Sequence, residues 1–432
     1  MKDKDRAMET RTPAELFATK ALTGQLRKEL TENILPYWIK NVCTPSSSFY
    51  GRISGNNEVD DNAPIGAIMT ARILWTFASA YRVLNEESSS LDPHEKYSGE
   101  NCTGEFIIQE YLDMALRAKR LLIDHFYDSK YGGIFWSLLP NLTPYDTKKQ
   151  IYANAFAIYG MAELYRATED EEALDFAIHL FYSIEDHSFD EVNNGYFEAF
   201  TREWEKLEDM RLSAKDANER KTMNTHLHLL EAYTCLYRVW KNPLLEERLR
   251  GLVVVFEKYI IGKDGHLQLF FDDIWNCNYN IVSYGHDIEA SWLLHEAALV
   301  LGDADILSRV ETLVPIIVKA ASEGFSEKGG MIYEKHGANN MDEDRHWWVQ
   351  AETVVGYFNL WQYFQSQEAL ESALVCWEFI KNNLIDKENG EWFWGIRSDG
   401  SINLDEDKAG FWKCPYHNGR MCLEILERVN KI

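Results

Sequence analysis

Six times along the chain a helix-length apolar stretch alternates with a short aromatic or aliphatic burst set behind a turn. The apolar stretches are 67–84, 151–167, 225–240, 287–301, 350–364 and 416–429. They are apolar on more than one side, and helices of that kind are covered by other helices. Between them lie one-sided helices. In 171–184 the residues Leu174, Ala177, Phe181 and Ile184 follow the spacing of a single helical face. The bursts are Phe49-Tyr50-Gly51, Gly133-Ile134-Phe135-Trp136, Gly195-Tyr196-Phe197, Gly265-His266-Leu267, Gly330-Met331-Ile332-Tyr333 and Gly390-Glu391-Trp392-Phe393-Trp394. Successive copies lie roughly 60–80 residues apart, enough for one helical hairpin and a loop. About six such pairs close into a ring, an all-α (α/α)6 barrel, with the more hydrophobic helix of each pair inside and short β-hairpins at one rim. An open solenoid would need polar capping repeats, and the last repeat, with Trp412 and Tyr416, does not read as one.

The pattern predicts one catalytic domain over 23–432, preceded by a flexible N-terminal extension of residues 1–22. The polar insertion Glu86 to Gly104 reads as a surface loop. Acidic residues outnumber basic ones by 69 to 44, a net charge of −25 that repels phosphate backbones and argues against nucleic acid as a partner. No apolar run approaches the roughly 20 residues of a membrane-spanning helix. The charged start, MKDKDRAMETRTP, lacks the apolar core of a signal peptide. The 7 cysteines are odd in number and contain no C-x-x-C pair. A reducing cytoplasm and no disulfide framework are therefore expected, and a monomer is expected because the barrel closes its own core.

The six inner helices carry polar or aromatic residues near their N-terminal ends, where packing alone would place Leu or Ala. These are Arg72, Tyr152 with Asn154, Asn224 with His228, His286 with Glu289, Trp348 with Glu352, and Trp412 with His417. In a ring of inner helices running the same way these ends converge on one cavity, a site for a polar ligand. Asn224 and His228 share a helix face, as do Trp348 and Glu352. Glu289, three residues after His286, is placed to orient its imidazole. His226 and His228 point to different sides, so they do not form a joint metal site and His226 reads as packing. The neighbours Trp347 and Trp348 are likewise expected to diverge, one of them inward. His94, His125, His179, His187, His266, His295, His336 and His346 fall in loops or on outer faces and receive no role. No motif for a nucleotide cofactor or a serine nucleophile is present. Glu289 and Glu352 remain open as the carboxylate pair of a glycoside hydrolase.

Four stretches then carry a resemblance: Lys221–His228, Ser283–Trp292, Trp347–Glu352 and Trp412–Arg420. In sequence and order they resemble the cellobiose 2-epimerases of the N-acylglucosamine 2-epimerase superfamily, from about residue 25 onward. The resemblance implies an (α/α)6 barrel and cofactor-free, metal-free inversion at C2 of the reducing-end sugar of a β-1,4-linked disaccharide. It implies His286 and His417 as the acid/base pair and His228 as a third essential histidine. Glu289, Trp292, Trp348 and Glu352 match further functional positions, with Trp292, Trp348 and Glu352 expected to bind substrate. Arg72, Tyr152, Asn224 and Trp412 match substrate-contacting ones, with Arg72 and His228 facing the oxygens of an enediolate. Two departures stand out: Ser47-Ser48 before the first burst, and Gln150 in Lys149-Gln150-Ile151-Tyr152, where the resembling pattern has His. The rival readings are an N-acylglucosamine 2-epimerase or aldose–ketose isomerase on monosaccharides, a hydrolase, and a non-catalytic sugar-binding protein.

Overall fold

The computed structural model describes residues 11–89, 99–326 and 329–430. Twelve principal helices alternate along it. The first four are α1 (Pro13–Lys28), α2 (Ala67–Ser89), α3 (Gly99–Leu121) and α4 (Ile151–Thr168). Next come α5 (Glu171–His187), α6 (Met223–Val239), α7 (Pro243–Val255) and α8 (Tyr284–Leu301). The last four are α9 (Ala304–Ala321), α10 (Trp347–Phe364), α11 (Gln367–Asn383) and α12 (Tyr416–Val429). The even-numbered helices touch in sequence, α2 to α4 and onward to α12, and α12 returns to α2. They are the inner ring, the odd-numbered helices cover them, and the fold is the (α/α)6 barrel expected from the repeats.

The burial explains the sequence pattern. In α4 every side chain from Ile151 to Leu164 is buried, so no polar stripe is tolerated. In α9 burial is confined to Ile306, Val310, Val314, Ile317, Val318, Ala320 and Ala321, one face of an outer helix. A core apolar side chain of this kind contributes about 1.5–3 kcal/mol. One hydrophobic cluster runs from Leu22 to Leu426.

Outer and inner helices begin differently. Thr12, Asp170, Asn242, Asp303 and Ser366 cap the outer helices with side-chain oxygens. Four inner helices, α4, α8, α10 and α12, have no side-chain cap. The entry of α4 and α10 is set instead by the bursts. Each burst forms a hairpin with the residues ending the preceding outer helix, as in the bridges Tyr127 to Ile134 and Phe189 to Tyr196. At four inner helices, α2, α4, α6 and α10, the burst or the residues just after it then clamp the start of the preceding inner helix. Ala67 N donates to Trp136 O at 3.1 Å, Ile151 N to Glu198 O at 3.1 Å, Met223 N to Leu269 O at 2.9 Å and Trp347 N to Trp394 O at 2.9 Å. Antiparallel two-residue ladders flank these clamps, such as Lys149–Gln150 against Ala199–Phe200.

The N-terminal region differs from its expectation. Of the extension 1–22, residues 13–22 belong to α1, which Thr12 and Glu15 open with a capping box. Thr19, Leu22 and Leu26 are buried, α1 lies against α12, and a π-helical turn (Glu29–Ile34) carries it into Leu35–Asn41. The insertion 86–104 lies partly outside the described residues; α2 extends to Ser89 and α3 begins at Gly99. Among the described residues no helix is long and apolar enough to cross a membrane, and Cys43, Cys235, Cys277, Cys376, Cys414 and Cys422 are all unpaired.

Candidate active site

A cavity of about 460 Å³ opens where the inner helices begin. Arg72, Tyr152, Asn224, His228, His286, Glu289, Trp348, Trp412 and His417 all line it. Asn224, His286, Trp348 and His417 stand within the first turn of their helices. The ends of several helix dipoles therefore face the same space, each worth about half a positive charge. A chain of net charge −25 thus presents a site that favours a developing anion.

The three histidines have distinct supports. His417 Nδ1 donates to Glu352 Oε1 at 2.7 Å, and His228 Nδ1 donates to Glu231 Oε2 at 2.9 Å. Both therefore present Nε2 as a lone pair. His286 Nδ1 lies 2.8 Å from Ser283 Oγ. The rings of His286 and His417 both contact the indole of Trp348, with centroids at 4.8 Å and 5.6 Å. Burial first, then the His228 ring, pushes His286 down to about 3. Burial lowers His228 and His417 as well, with Arg72 and Arg420 adding to the effect. All three are neutral in the free site at ordinary pH.

Beneath the histidines lies a buried ionic network. Arg420 Nη2 donates to Glu289 Oε1 at 2.5 Å and to Glu352 Oε1 at 2.6 Å, while Nη1 donates to Glu231 and to the Tyr416 hydroxyl. Burial works against the Glu231 carboxylate, yet Arg420 draws it down to about 2. Burial and the neighbouring Glu352 push Glu289 up, and burial pushes Glu352 up. Arg72 approaches from the other side, donating to the Tyr152 hydroxyl at 2.7 Å and to Trp412 O at 3.3 Å. Its guanidinium lies 4.2 Å from the Phe156 ring centroid.

Four buried polar atoms of cavity residues have no protein partner: Arg72 Nε, Asn224 Oδ1, Glu289 Oε2 and Trp347 Nε1. Buried polar groups are otherwise satisfied almost without exception. A ligand carrying several hydroxyls meets that deficit.

The structure corrects three sequence expectations. Glu289 does not pair with His286: its carboxylate turns to Arg420, and His286 folds back on Ser283 at the helix entrance. Trp292 and Glu352, expected as substrate-binding, do not line the cavity. They lie at least a turn deeper along their helices, where Trp292 Nε1 donates to Glu352 Oε2 at 3.0 Å. Trp347 borders the cavity beside Trp348 rather than turning away.

His226 has the packing role expected of it. Its Nδ1 donates to Thr222 O at 2.6 Å and its Nε2 accepts from Tyr196 N at 2.9 Å. His94 lies outside the described residues. His295 is buried on the inner helix α8 against Asn359, not on an outer face. His266 is buried too, its Nδ1 donating to Asp287 Oδ2 at 2.7 Å. His346, given no role, lines the cavity with its ring 4.0 Å from that of Tyr333. It stands one residue before α10, the junction that supplies the other site residues, and that position was a usable signal. Glu198, Tyr333, Trp394 and the Arg420–Glu231 pair were missed; Arg420, three residues after His417, shares its helix face. Glu289, Glu352 and His417 bring three ligand atoms within 4.8 Å of one another, but Arg420 is bonded to both carboxylates. A metal ion there would have to displace a guanidinium.

Comparisons with known proteins agree on one relationship. The family model for N-acylglucosamine 2-epimerase (GlcNAc 2-epimerase) matches residues 101–419. The chain is 57% identical to a cellobiose 2-epimerase of Bacteroides fragilis, covering 94% of this chain and 98% of that one. It is 37% identical to a cellobiose 2-epimerase of Ruminococcus albus, covering 94% and 99%. The solved cellobiose 2-epimerase of Bacillus thermoamylovorans superposes with a TM-score of 0.86 at 37% identity, covering 95% and 100%. A solved D-mannose isomerase superposes at 0.78 with 18% identity, a likeness of fold alone.

Proposed function

The chain belongs to the N-acylglucosamine 2-epimerase family and is an epimerase, and from that premise we propose that it inverts C2 of the reducing-end sugar of β-1,4-linked disaccharides, cellobiose or mannobiose. The observation that carries this reading is the pair of imidazoles, His286 from α8 and His417 from α12, that contact one indole on the intervening α10.

A sugar C2–H becomes acidic only when C1 is an open aldehyde, so the ring opens first. The O1–H proton leaves as the C1–O5 bond breaks, and O5 takes up a proton, with His228 positioned to exchange it. One imidazole then removes the C2 proton. The bonding electrons move into a C1–C2 double bond, and the charge passes to O1. Arg72 and the helix N-termini stabilise that enediolate. The second imidazole, which has taken up a proton from solvent on substrate binding, gives it to C2 from the opposite face, the first then loses its proton to solvent, and ring closure completes the inversion. Two bases are needed because a single base returns the proton to the side it came from. The step is redox-neutral, so no electron carrier enters. Positive charge is better held at His417, which Glu352 backs, than at His286, which has only Ser283.

Cellobiose and mannobiose incubated in D2O test the reading. The expected product has inverted C2 and deuterium at that carbon, and His286→Ala and His417→Ala each lower the rate by at least about 10²-fold. A product consisting only of ketose, or release of monosaccharides, would sink it.

A further inference from the structure

Met210, Arg211, Leu212 and Ser213 form part of the cavity wall. Their segment braces itself. Asn218 Nδ2 donates to Glu208 O at 2.8 Å, Asn218 Oδ1 accepts from Met210 N at 2.9 Å, and Asp216 Oδ2 accepts from Ser213 N at 2.8 Å. Met210 is buried and Leu212 packs against the core, and the segment's one buried polar tie to the barrel is the side chain of Gln150. The Gln150 amide nitrogen donates to Met210 O at 3.1 Å and to Arg211 O at 3.0 Å. Among the described residues the other polar side-chain link leaving 208–218 is the exposed pair Lys215–Glu406, at 4.0 Å. Gln150 stands immediately before α4, two residues ahead of Tyr152, and its carbonyl accepts from Asn154 Nδ2 at 2.8 Å. It therefore fixes the wall to the same backbone that delivers Tyr152 to Arg72.

We infer that Gln150 is a positioning residue that sets specificity for the non-reducing ring of the disaccharide; the inference rests on the disaccharide reading above. A terminal amide nitrogen carries two hydrogens and serves two consecutive carbonyls at once. With the reducing ring at His228, His286 and His417, the second ring meets residues supplied by the loops, the 210–213 wall among them. Gln150 does not line the cavity, so it acts through the wall and not on the sugar.

Gln150→Glu keeps the size of the side chain but turns an acceptor on both carbonyls. Steady-state kinetics are measured on cellobiose and lactose, which share the reducing glucose and differ in the other ring. KM is expected to rise roughly tenfold, kcat to change by less than about threefold, and the cellobiose-to-lactose ratio of kcat/KM to move at least about threefold. A fall in kcat with KM and the ratio unchanged overturns the inference. Should Gln150→Glu not fold, Asn218→Ala, on the exposed side of the same segment, is expected to shift KM and the ratio in the same way; unchanged values overturn it. Wild-type protein that epimerises neither sugar would overturn the disaccharide reading itself, and the inference with it.

Discussion

Oε1 of Glu352 accepts from His417 Nδ1 at 2.7 Å and from Arg420 Nη2 at 2.6 Å. One carboxylate oxygen thereby links an imidazole at the cavity to the buried cation beneath it. The consequence for His417 is a fixed tautomer, with Nε2 free toward the cavity and any imidazolium held in place.

Glu352→Gln keeps the shape and removes the charge. The amide can offer N–H to Nδ1, which reverses the tautomer and turns Nε2 into a donor. The expected loss is about 10²–10⁴ in kcat, with KM for cellobiose changed much less. Circular dichroism should match wild type. An activity within about threefold of wild type would mean that His417 does not need this partner.

The barrel was legible in the sequence because a helix buried on all sides cannot hide its composition. The stretch 151–167 becomes α4, Ile151–Thr168, within a residue or two at each end. The convergence of Arg72, Asn224, His228, His286 and His417 was legible for the same reason: polar residues in such helices must have a shared purpose. Sequence spacing, however, reports only neighbours on one helix. Arg420 and Glu231 are 189 residues apart and meet across the ring, a relationship that no local pattern encodes. The same limit produced the false pairing of His286 with Glu289, which are neighbours on α8 but face different partners. In α1 the buried set is only Thr19, Leu22 and Leu26, too thin a stripe to read through a charged beginning.

Glu198 gives a pH-dependent stability. It is buried at the cavity wall, and its two oxygens accept from the Thr222 and Thr225 hydroxyls at 2.8 Å and 2.7 Å. Burial pushes it up from 4.5 to about 7. A carboxyl raised on folding contributes stability that is complete below its unfolded value and lost as pH rises through about 7. The buried histidines act in the opposite sense. His226 and His346 are pushed down to about 4 by burial, so their contribution is complete above 6.5 and is lost as pH falls toward about 4. Thermal unfolding of wild type should therefore peak between these limits. Glu198→Gln should lose the decline between about pH 5 and pH 8 while keeping the acid arm. A variant with an unchanged alkaline decline would assign that arm to another group.

Gly195 tests whether the burst turns hold the site as well as the fold. Its φ is +81°, and an added Cβ would stand 2.4 Å from Trp275 Cζ2 and 2.7 Å from His226 Nε2. His226 cannot yield freely, since it bonds Tyr196 N on one side and Thr222 O on the other. Thr222 is the cap of α6, the helix that carries Asn224 and His228. Gly195→Ala should cost about 2–4 kcal/mol, the left-handed backbone and the steric clash combined. Gly302→Ala isolates the first contribution, because Gly302 has a φ of +68° with nothing within 4 Å, and should cost only about 1 kcal/mol. Denaturant midpoints give the two costs, and equal values would remove the clash as the cause. The displacement also reaches α6 through His226 and Thr222, so Gly195→Ala should lower kcat at temperatures where it remains folded, whereas Gly302→Ala should not.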